Sequence, residues 1–162
     1  MAKLLVRLLL LPALLLLAAC AGSPNYFTPV PPTSAERGML YLYRPPADNP
    51  GLQPLRRAYP VILVDGRSVG VLEFNQYFNV DLAAGRHSIV VTGLVAPANW
   101  EVADIRQDVS IAPGEIKYLK LDVQYQLDDM TIGQSGPKYR IFLTPMDSPT
   151  AVDEIRHTAP RP

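Results

Sequence analysis

The sequence has 162 residues, with 15 basic and 15 acidic side chains and therefore no formal net charge. Apolar residues make up 48% and charged residues 19%, a balance that excludes a disordered chain and a strongly basic nucleic-acid-binding protein. One cysteine and two histidines exclude a disulfide framework and a multi-cysteine zinc site. The composition thus predicts one domain without a metal ion or cofactor, and it argues against most classes of enzyme.

Residues 1–19 have the pattern of an export signal. Lys3 and Arg7 form a positive front, and an apolar, leucine-rich core runs from Leu8 to Ala19. This core is shorter than the roughly 20 apolar residues that span a bilayer permanently. We therefore expect transient insertion of this segment followed by cleavage.

The tetrapeptide Leu17-Ala18-Ala19-Cys20 resembles the lipobox of bacterial lipoprotein precursors. The resemblance implies that Cys20 receives a diacylglycerol, that the signal is cut just before it, and that the new amino terminus is acylated. Ala21 and Gly22, rather than an aspartate, follow the cysteine, which by the same resemblance favours the outer membrane, facing the periplasm. Two alternatives remain, namely ordinary secretion with a cut after Ala21 and an uncleaved anchoring helix.

Residues 20–37 are predicted to form a proline-rich tether between the lipid and the domain. Their prolines favour extended polyproline geometry, and the reach of such a segment approaches about 50 Å. Tyr26 and Phe27 interrupt the tether. We expect these two side chains to dock on the domain, the alternative being a position among the lipid headgroups.

Between residues 38 and 145 the apolar pattern has a period of two, which indicates β-strands. Asp65-Gly66 lies between two apolar runs and predicts a tight hairpin. The predicted strands are Met39–Tyr43, Pro60–Val64, Val69–Phe74, Tyr77–Leu82, His87–Val95, Ile105–Ile111, Ile116–Tyr125 and Tyr139–Thr144. About seven or eight short strands predict an all-β fold, an antiparallel β-sandwich.

Alternation also predicts which faces are buried. In the strand over 116–125, Leu119, Leu121 and Val123 share one face, while Tyr118, Lys120 and Asp122 share the other. We expect the first face in the core and the second in water. Residues 146–162 break the pattern, and Pro149 followed by Ala151–Ile155 predicts a short helix that docks through Val152 and Ile155.

Several turn motifs recur in a fixed order with strands between them. They are Val64-Asp65-Gly66-Arg67-Ser68-Val69-Gly70, Ala84-Gly85-Arg86-His87 and Ala112-Pro113-Gly114-Glu115, after a first strand Leu40-Tyr41-Leu42-Tyr43-Arg44. The arrangement resembles a bacterial lipoprotein domain of unknown function and is similar to PEGA-type repeats, which have transthyretin-like sandwich folds. The resemblance covers most of 38–145 and implies scaffold positions but no catalytic residue. At Gly70 we expect a neighbouring backbone to approach closely.

Three long connections are the candidate binding elements. The connection over 44–59 carries Arg44, Arg56, Arg57 and Tyr59, the one over 94–104 carries Trp100, and the third spans 126–138. A tryptophan with arginines suits the stacking of sugars or peptides. The alternative is that Trp100 packs over an open end of the sandwich.

The sequence carries no Ser-His-Asp arrangement, no phosphate-binding loop and no zinc-ligand spacing, and Asp128-Asp129 lacks the spacing of a calcium-binding EF-hand. We therefore expect a non-enzymatic, membrane-anchored envelope lipoprotein that binds an envelope protein or glycan and no nucleic acid. The alternative is a hydrolase or transferase acting on envelope polymers. Two carboxylates with a tyrosine or histidine in one deep pocket would favour that alternative.

Overall fold

The computed structural model describes residues 27–46, 60–92, 104–126 and 138–162. Within these ranges the chain forms nine β-strands and one α-helix. In chain order they are β1 Arg37–Arg44, β2 Val61–Val64, β3 Arg67–Val71, β4 Gln76–Ala83, β5 Gly85–Thr92, β6 Ile105–Ile111, β7 Ile116–Gln126, β8 Lys138–Met146, α1 Ser148–Ile155 and β9 Ala159–Pro160. The all-β class is confirmed, and each of the eight predicted strands overlaps one of β1–β8.

The strands form two sheets that pack face to face. The first sheet has the order β8-β7-β1-β4-β9 and the second the order β3-β2-β5-β6. Both contribute their inner faces to one core, which contains Leu40, Leu42, Ile62, Val64, Leu72, Phe78, Ile89, Val91, Val109, Ile111, Leu119, Leu121, Val123 and Leu143. The predicted inward face of β7 is thus in the core, and the β-sandwich is confirmed.

The first sheet is mixed. β1 pairs in parallel with β7, and β4 pairs in parallel with the two-residue strand β9. All the other neighbours are antiparallel. Parallel neighbours need a crossover connection, and the chain makes one by building all four strands of the second sheet, together with β4, between β1 and β7.

The Asp65-Gly66 hairpin has the predicted geometry. Both residues have positive φ angles, 50° for Asp65 and 78° for Gly66. Two central residues with positive φ define the type I′ turn, whose twist matches that of the strands it joins. Glycine adopts this conformation without a steric cost, so the pair sets the register of β2 and β3 at Val64 and Arg67.

The outer face of the first sheet is not in water, and the prediction for the Tyr118 face of β7 was wrong on this point. Tyr118 is buried in a second apolar cluster, together with Met39, Tyr41, Tyr43, Ala151 and Ile155. Helix α1 and residues 27–36 cover this face. The alternation rule assigned tyrosine to water, whereas a tyrosine ring is mostly apolar surface and is buried when another element covers it.

Helix α1 begins at a clear capping signal. The Asp147 side chain accepts a hydrogen bond from the Thr150 N–H at 3.0 Å, and Pro149 occupies the first turn, where its missing N–H costs nothing. Ala151 and Ile155 are buried against the sheet, with Val152 partly buried beside them. The predicted docking of Val152 and Ile155 is therefore confirmed.

Residues 27–36, here called the strap, run along the outer face of the first sheet beside β4. The Phe27 ring meets the rings of Tyr41 and Tyr77 edge-on, at centroid distances of 5.4 and 5.1 Å. The Val30 N–H donates to the Tyr41 hydroxyl at 2.7 Å, and the Thr33 hydroxyl donates to Asp81 at 2.6 Å. These residues of the predicted tether thus belong to the packed domain, and the expected docking of Phe27 is observed.

The two ends of the sandwich differ. At one end, called the turn end, lie the short turns at Asp65-Gly66, Ala84 and Pro113-Gly114. The opposite end, called the loop end, holds the strand ends Arg44, Val61, Thr92, Ile105, Gln126 and Lys138. The three long connections 45–59, 93–104 and 127–137 therefore all start and finish at the loop end.

Replacement of Ile155 by alanine should destabilise the domain. Ile155 is fully buried between α1 and the first sheet, and truncation of such a side chain costs about 2 to 5 kcal/mol. The measurement is the free energy of unfolding in urea. Asp153→Ala is the control on the same helix, where an exposed side chain is lost and a change within about 0.5 kcal/mol is expected. If the two substitutions changed the free energy of unfolding equally, helix α1 would not be part of the core.

Candidate functional site

A cavity of about 300 Å³ lies between the strap, strand β4 and the C-terminal residues 160–162. Its walls include Phe27 and Val30 from the strap together with Tyr41, Tyr77 and Asn79 from the sheet. This volume is at the small end of the range for ligand-binding pockets. The cavity is lined by aromatic rings, neutral polar groups and Arg161, and no acidic side chain or histidine is among its lining residues, so the lining suits binding of a polar molecule better than an acid–base reaction.

The chain holds both flanks of this cavity in place by contacts of its own. On the C-terminal side, the Ala159 N–H donates to the Asn75 carbonyl and the Arg161 N–H donates to the Tyr77 carbonyl, each at 2.9 Å. On the other side, Phe27 and the bond from the Val30 N–H to the Tyr41 hydroxyl hold the strap. Burial raises the pKa of Tyr41 above its usual value of 10, so that this hydroxyl stays neutral.

The Arg161 side chain closes the adjacent edge of the sandwich. Its guanidinium lies 4.6 Å from the centre of the Phe78 ring and donates to the Val69 carbonyl in the second sheet at 3.2 Å. A Cβ atom at Gly70 would overlap this guanidinium. The close approach expected at Gly70 is therefore real, but the neighbour is a side chain, not a backbone, because the C-terminal segment folds back along β4.

One constellation of titratable groups lies under helix α1. The Tyr43 hydroxyl donates to Glu154 at 2.6 Å, and the Lys120 ammonium donates to the other carboxylate oxygen at 2.8 Å. Burial, reinforced by the neighbouring Glu154 carboxylate, raises the pKa of Tyr43 far above its usual value. A phenol that stays protonated is neither a base nor a nucleophile, so this network fastens the helix to the sheet.

His87 forms a second polar contact, at the turn end. Its Nδ1 lies 2.7 Å from the Asp65 carboxylate and its Nε2 lies 2.8 Å from the Ala83 carbonyl. Both partners are acceptors, and only the imidazolium can donate from both ring nitrogens. Burial lowers the pKa of His87, but the bonds to Asp65 and Ala83 outweigh it and raise the pKa above 6.5. His87 is the third residue of β5, and 11% of its side chain is exposed.

Arg44 is not the surface residue that its place in the candidate loop suggested. It is the last residue of β1, only 1% exposed, and its guanidinium lies 5.8 Å from the centre of the Phe74 ring. The sequence grouped it with the connection because prolines follow it directly. The structure makes it part of the packing between β1 and the turn before β4.

The other predicted site residues lie outside the described ranges. These are the lipidation residue Cys20 and the candidate binding residues Arg56, Arg57, Tyr59 and Trp100, and Tyr26 joins them. Two connections carry the binding candidates. The structure describes the strand ends that flank these connections, and these strand ends all lie at the loop end. The cavity beside the strap was missed by sequence reasoning, although the uncharged tract around Phe27 and the alternating tyrosines of β1 were visible signals.

Neither the protein-family models, nor the curated proteins, nor the solved structures contain a match to this chain. Over residues 27–46, 60–92, 104–126 and 138–162, no helix is long and apolar enough to cross a membrane. In the same part of the chain, no three His, Cys, Asp or Glu side chains converge where they could hold a metal ion.

The contribution of His87 to stability should depend on pH. Its pKa is raised on folding, so its contribution is complete below about pH 6.5 and is lost as the pH rises through the folded value. Hydrogen bonds from His87 and the Ser88 N–H lower the pKa of Asp65, so the contribution of the Asp65 carboxylate to stability is present above about pH 4. His87→Gln should therefore destabilise the protein more at pH 5.5 than at pH 8.5, by up to about 1 kcal/mol for a half-exposed pair.

The measurement is urea unfolding of the native protein and of the His87→Gln variant at both pH values. Arg86→Gln is the control, because it breaks the exposed ion pair with Asp108, which contains no histidine. The difference between Arg86→Gln and the native protein should be the same at both pH values. A pH-independent difference for His87→Gln would contradict a protonated imidazole in the fold.

Proposed function

We propose that this protein is a non-enzymatic lipoprotein of the bacterial envelope, anchored through acylated Cys20 and presenting its β-sandwich to an envelope protein or glycan. The observation that carries the proposal is the lipobox-like Leu17-Ala18-Ala19-Cys20, placed seven residues before the docked Phe27. A lipid on Cys20 would join the membrane to the domain through six residues. Several acyl chains, at about 0.8 kcal/mol per buried methylene, hold a protein on a membrane essentially permanently.

The arrangement of the loops supports a recognition role for the loop end. Long connections in compact domains are often functional, and here the strand ends that flank all three are at the same end of the sandwich. Arg56, Arg57, Tyr59 and Trp100 belong to two of these connections. Tryptophan, tyrosine and arginine are the residues that most often dominate binding energy at interfaces. We therefore keep these four as the proposed partner-binding residues.

The described chemistry favours binding over hydrolysis or group transfer. Among the described residues, Tyr43, Lys120 and Glu154 form a hydrogen-bonded network beneath helix α1, and the carboxylates of Asp122 and Asp147 also act electrostatically on Tyr43. Tyr43 is fully buried there and does not face an open cleft. A hydrolase of envelope polymers would need two carboxyl groups, or a carboxylate with an activated nucleophile, facing an open cleft. The cavity beside the strap is lined instead by aromatic rings, neutral polar groups and Arg161, with no acidic side chain.

Cys20→Ser should abolish acylation. The thiolate is the nucleophile that takes the lipid, and a serine hydroxyl at this position does not replace it. The measurement is metabolic labelling with radioactive palmitate in the native host, together with the size of the processed chain. Ser23→Ala, three residues downstream, is the control and should label as the native protein does. Undiminished labelling of the Cys20→Ser variant would exclude the proposed anchor.

Substitution of the loop arginines should remove a crosslinked partner from intact envelopes. We expect Arg56→Ala with Arg57→Ala, and separately Trp100→Ala, to lose the crosslink that the native protein forms. Arg67→Ala is the matched control, since Arg67 is exposed at the opposite, turn end and its loss should leave the crosslink unchanged.

Thermal melting separates lost recognition from lost folding in this experiment. A packed tryptophan costs about 3 to 5 kcal/mol on truncation, so a large loss of stability in Trp100→Ala alone would assign that residue to packing. Folded loop variants with an unchanged crosslink pattern would overturn the proposed recognition surface.

A further inference from the structure

We infer that the strap face of the sandwich, meaning residues 27–34 and the sheet edge they cover, lies against the bilayer that holds Cys20. The inference rests on the proposed lipid anchor and adds to it the orientation of the domain. The binding partner of this face is a phospholipid surface. The evidence is the length of the chain between Cys20 and Phe27, the charge of the face and the exposure of its apolar side chain.

Chain length brings the strap to the membrane. Seven Cα–Cα steps separate Cys20 from Phe27, and a fully extended chain covers at most about 25 Å in seven residues. The eight-residue strand β1 has about the same length. A sandwich tied at this point cannot stand off from the bilayer by more than one strand length, so the strap is the described surface nearest the anchor.

The strap cannot lengthen the link without breaking several contacts at once. Phe27 is held between Tyr41 and Tyr77, and Thr33 donates to Asp81 from both its hydroxyl and its backbone N–H. Asp81 also accepts from Arg37, the first residue of β1. These contacts tie the strap to the sheet over its whole length, so the anchor meets a fixed surface.

The charge pattern distinguishes this face from the opposite one. Residues 21–35 contain no Asp, Glu, Lys or Arg. The outer face of the second sheet instead carries Arg86, Arg106 and Asp108, whose side chains are 74%, 70% and 52% exposed. Pressing charged side chains against lipid removes them from water, which is costly. Residues 27–34 carry no charge and lose little on such contact, while Glu36, the one charged residue of the strap, lies where the strap joins β1.

The exposure of apolar side chains also supports contact between this face and the bilayer. Val30 is 54% exposed. In the described part of the chain, only one other large apolar side chain, Phe142, is exposed. Phe142 is on β8, at the far edge of the first sheet from β4. A lipid anchor confines the domain so that a surface contact acts at an effective concentration of about millimolar, and one exposed valine among prolines then suffices to bias the orientation.

The test uses the full, acylated protein in vesicles of phosphatidylethanolamine and phosphatidylglycerol, with a phosphatidylcholine that carries a nitroxide near its headgroup. Because the acylated Cys20 has no free thiol, a cysteine introduced at position 28 or 108 accepts a fluorophore alone. Thr28 is exposed on the strap, and its replacement leaves Val30 in place. We expect the nitroxide to quench the probe in the Thr28→Cys variant several-fold more than the probe in Asp108→Cys. Equal quenching, or stronger quenching at 108, overturns the inference.

A second pair of variants tests contact rather than proximity. In the Thr28→Cys background, Val30→Asp should reduce quenching at position 28, since a carboxylate resists transfer toward lipid. Ser110→Asp, an exposed site at the turn end of the second sheet, should leave it unchanged. Val30 is exposed, so its replacement is not expected to unfold the domain, and thermal melting checks this. Unchanged quenching in the Val30→Asp variant overturns the inference and leaves the face free for a protein partner.

Vesicle flotation separates the two levels of the argument. A protein that does not float with the vesicles lacks the lipid anchor, which overturns the proposed function and this orientation together. If the protein floats but quenching does not differ between positions 28 and 108, the lipid anchor is retained and only the proposed orientation is overturned.

Discussion

Strand β1 is buried on both of its faces, and the rest of the structure is arranged around that constraint. Leu40 and Leu42 point into the core between the sheets, while Tyr41 and Tyr43 point outward into the second cluster. A buried phenol needs a hydrogen-bond partner as well as apolar cover. For Tyr41 the strap supplies the Val30 N–H, and for Tyr43 helix α1 supplies Glu154. The segments on either side of the strands are therefore fastened to the same sheet.

This fastening gives the sandwich surfaces of different character. The C-terminal segment pairs with β4 through β9, and the Arg161 side chain donates to the second sheet. These contacts cover part of the β4 edge of the first sheet, which could otherwise pair with a strand of another chain. Residues 27–34 of the strap form an uncharged surface beside the proposed anchor, and the second sheet presents charged side chains on its outer face. The strand ends that flank the three long connections lie at the loop end, away from the tight turns.

The polar groups of the described residues serve structure more visibly than chemistry. Burial and the neighbouring Glu154 keep Tyr43 protonated, the Asp65 contact raises the pKa of His87, and Arg44 packs on Phe74. Tyr43 is thus held in one protonation state and both ring nitrogens of His87 are engaged by Asp65 and Ala83, whereas an acid–base catalyst needs a titrating group that can reach a substrate. This distribution is what a binding module on a stable scaffold requires, and it supports the proposed envelope lipoprotein.

Local features in the sequence determined the elements. Period-two alternation marked eight strands, Asp65-Gly66 marked its hairpin, and Pro149 marked the start of the helix, because each depends on residues close together in the chain. The lipid anchor at Cys20 and the loop residues Arg56, Arg57, Tyr59 and Trp100 remain predictions of the same local kind. Only the tertiary structure decided the parallel pairing of β1 with β7, the burial of the tyrosine face and the cavity beside the strap. Tyr43 and Glu154 are 111 residues apart, and no local pattern records which distant segment covers a face.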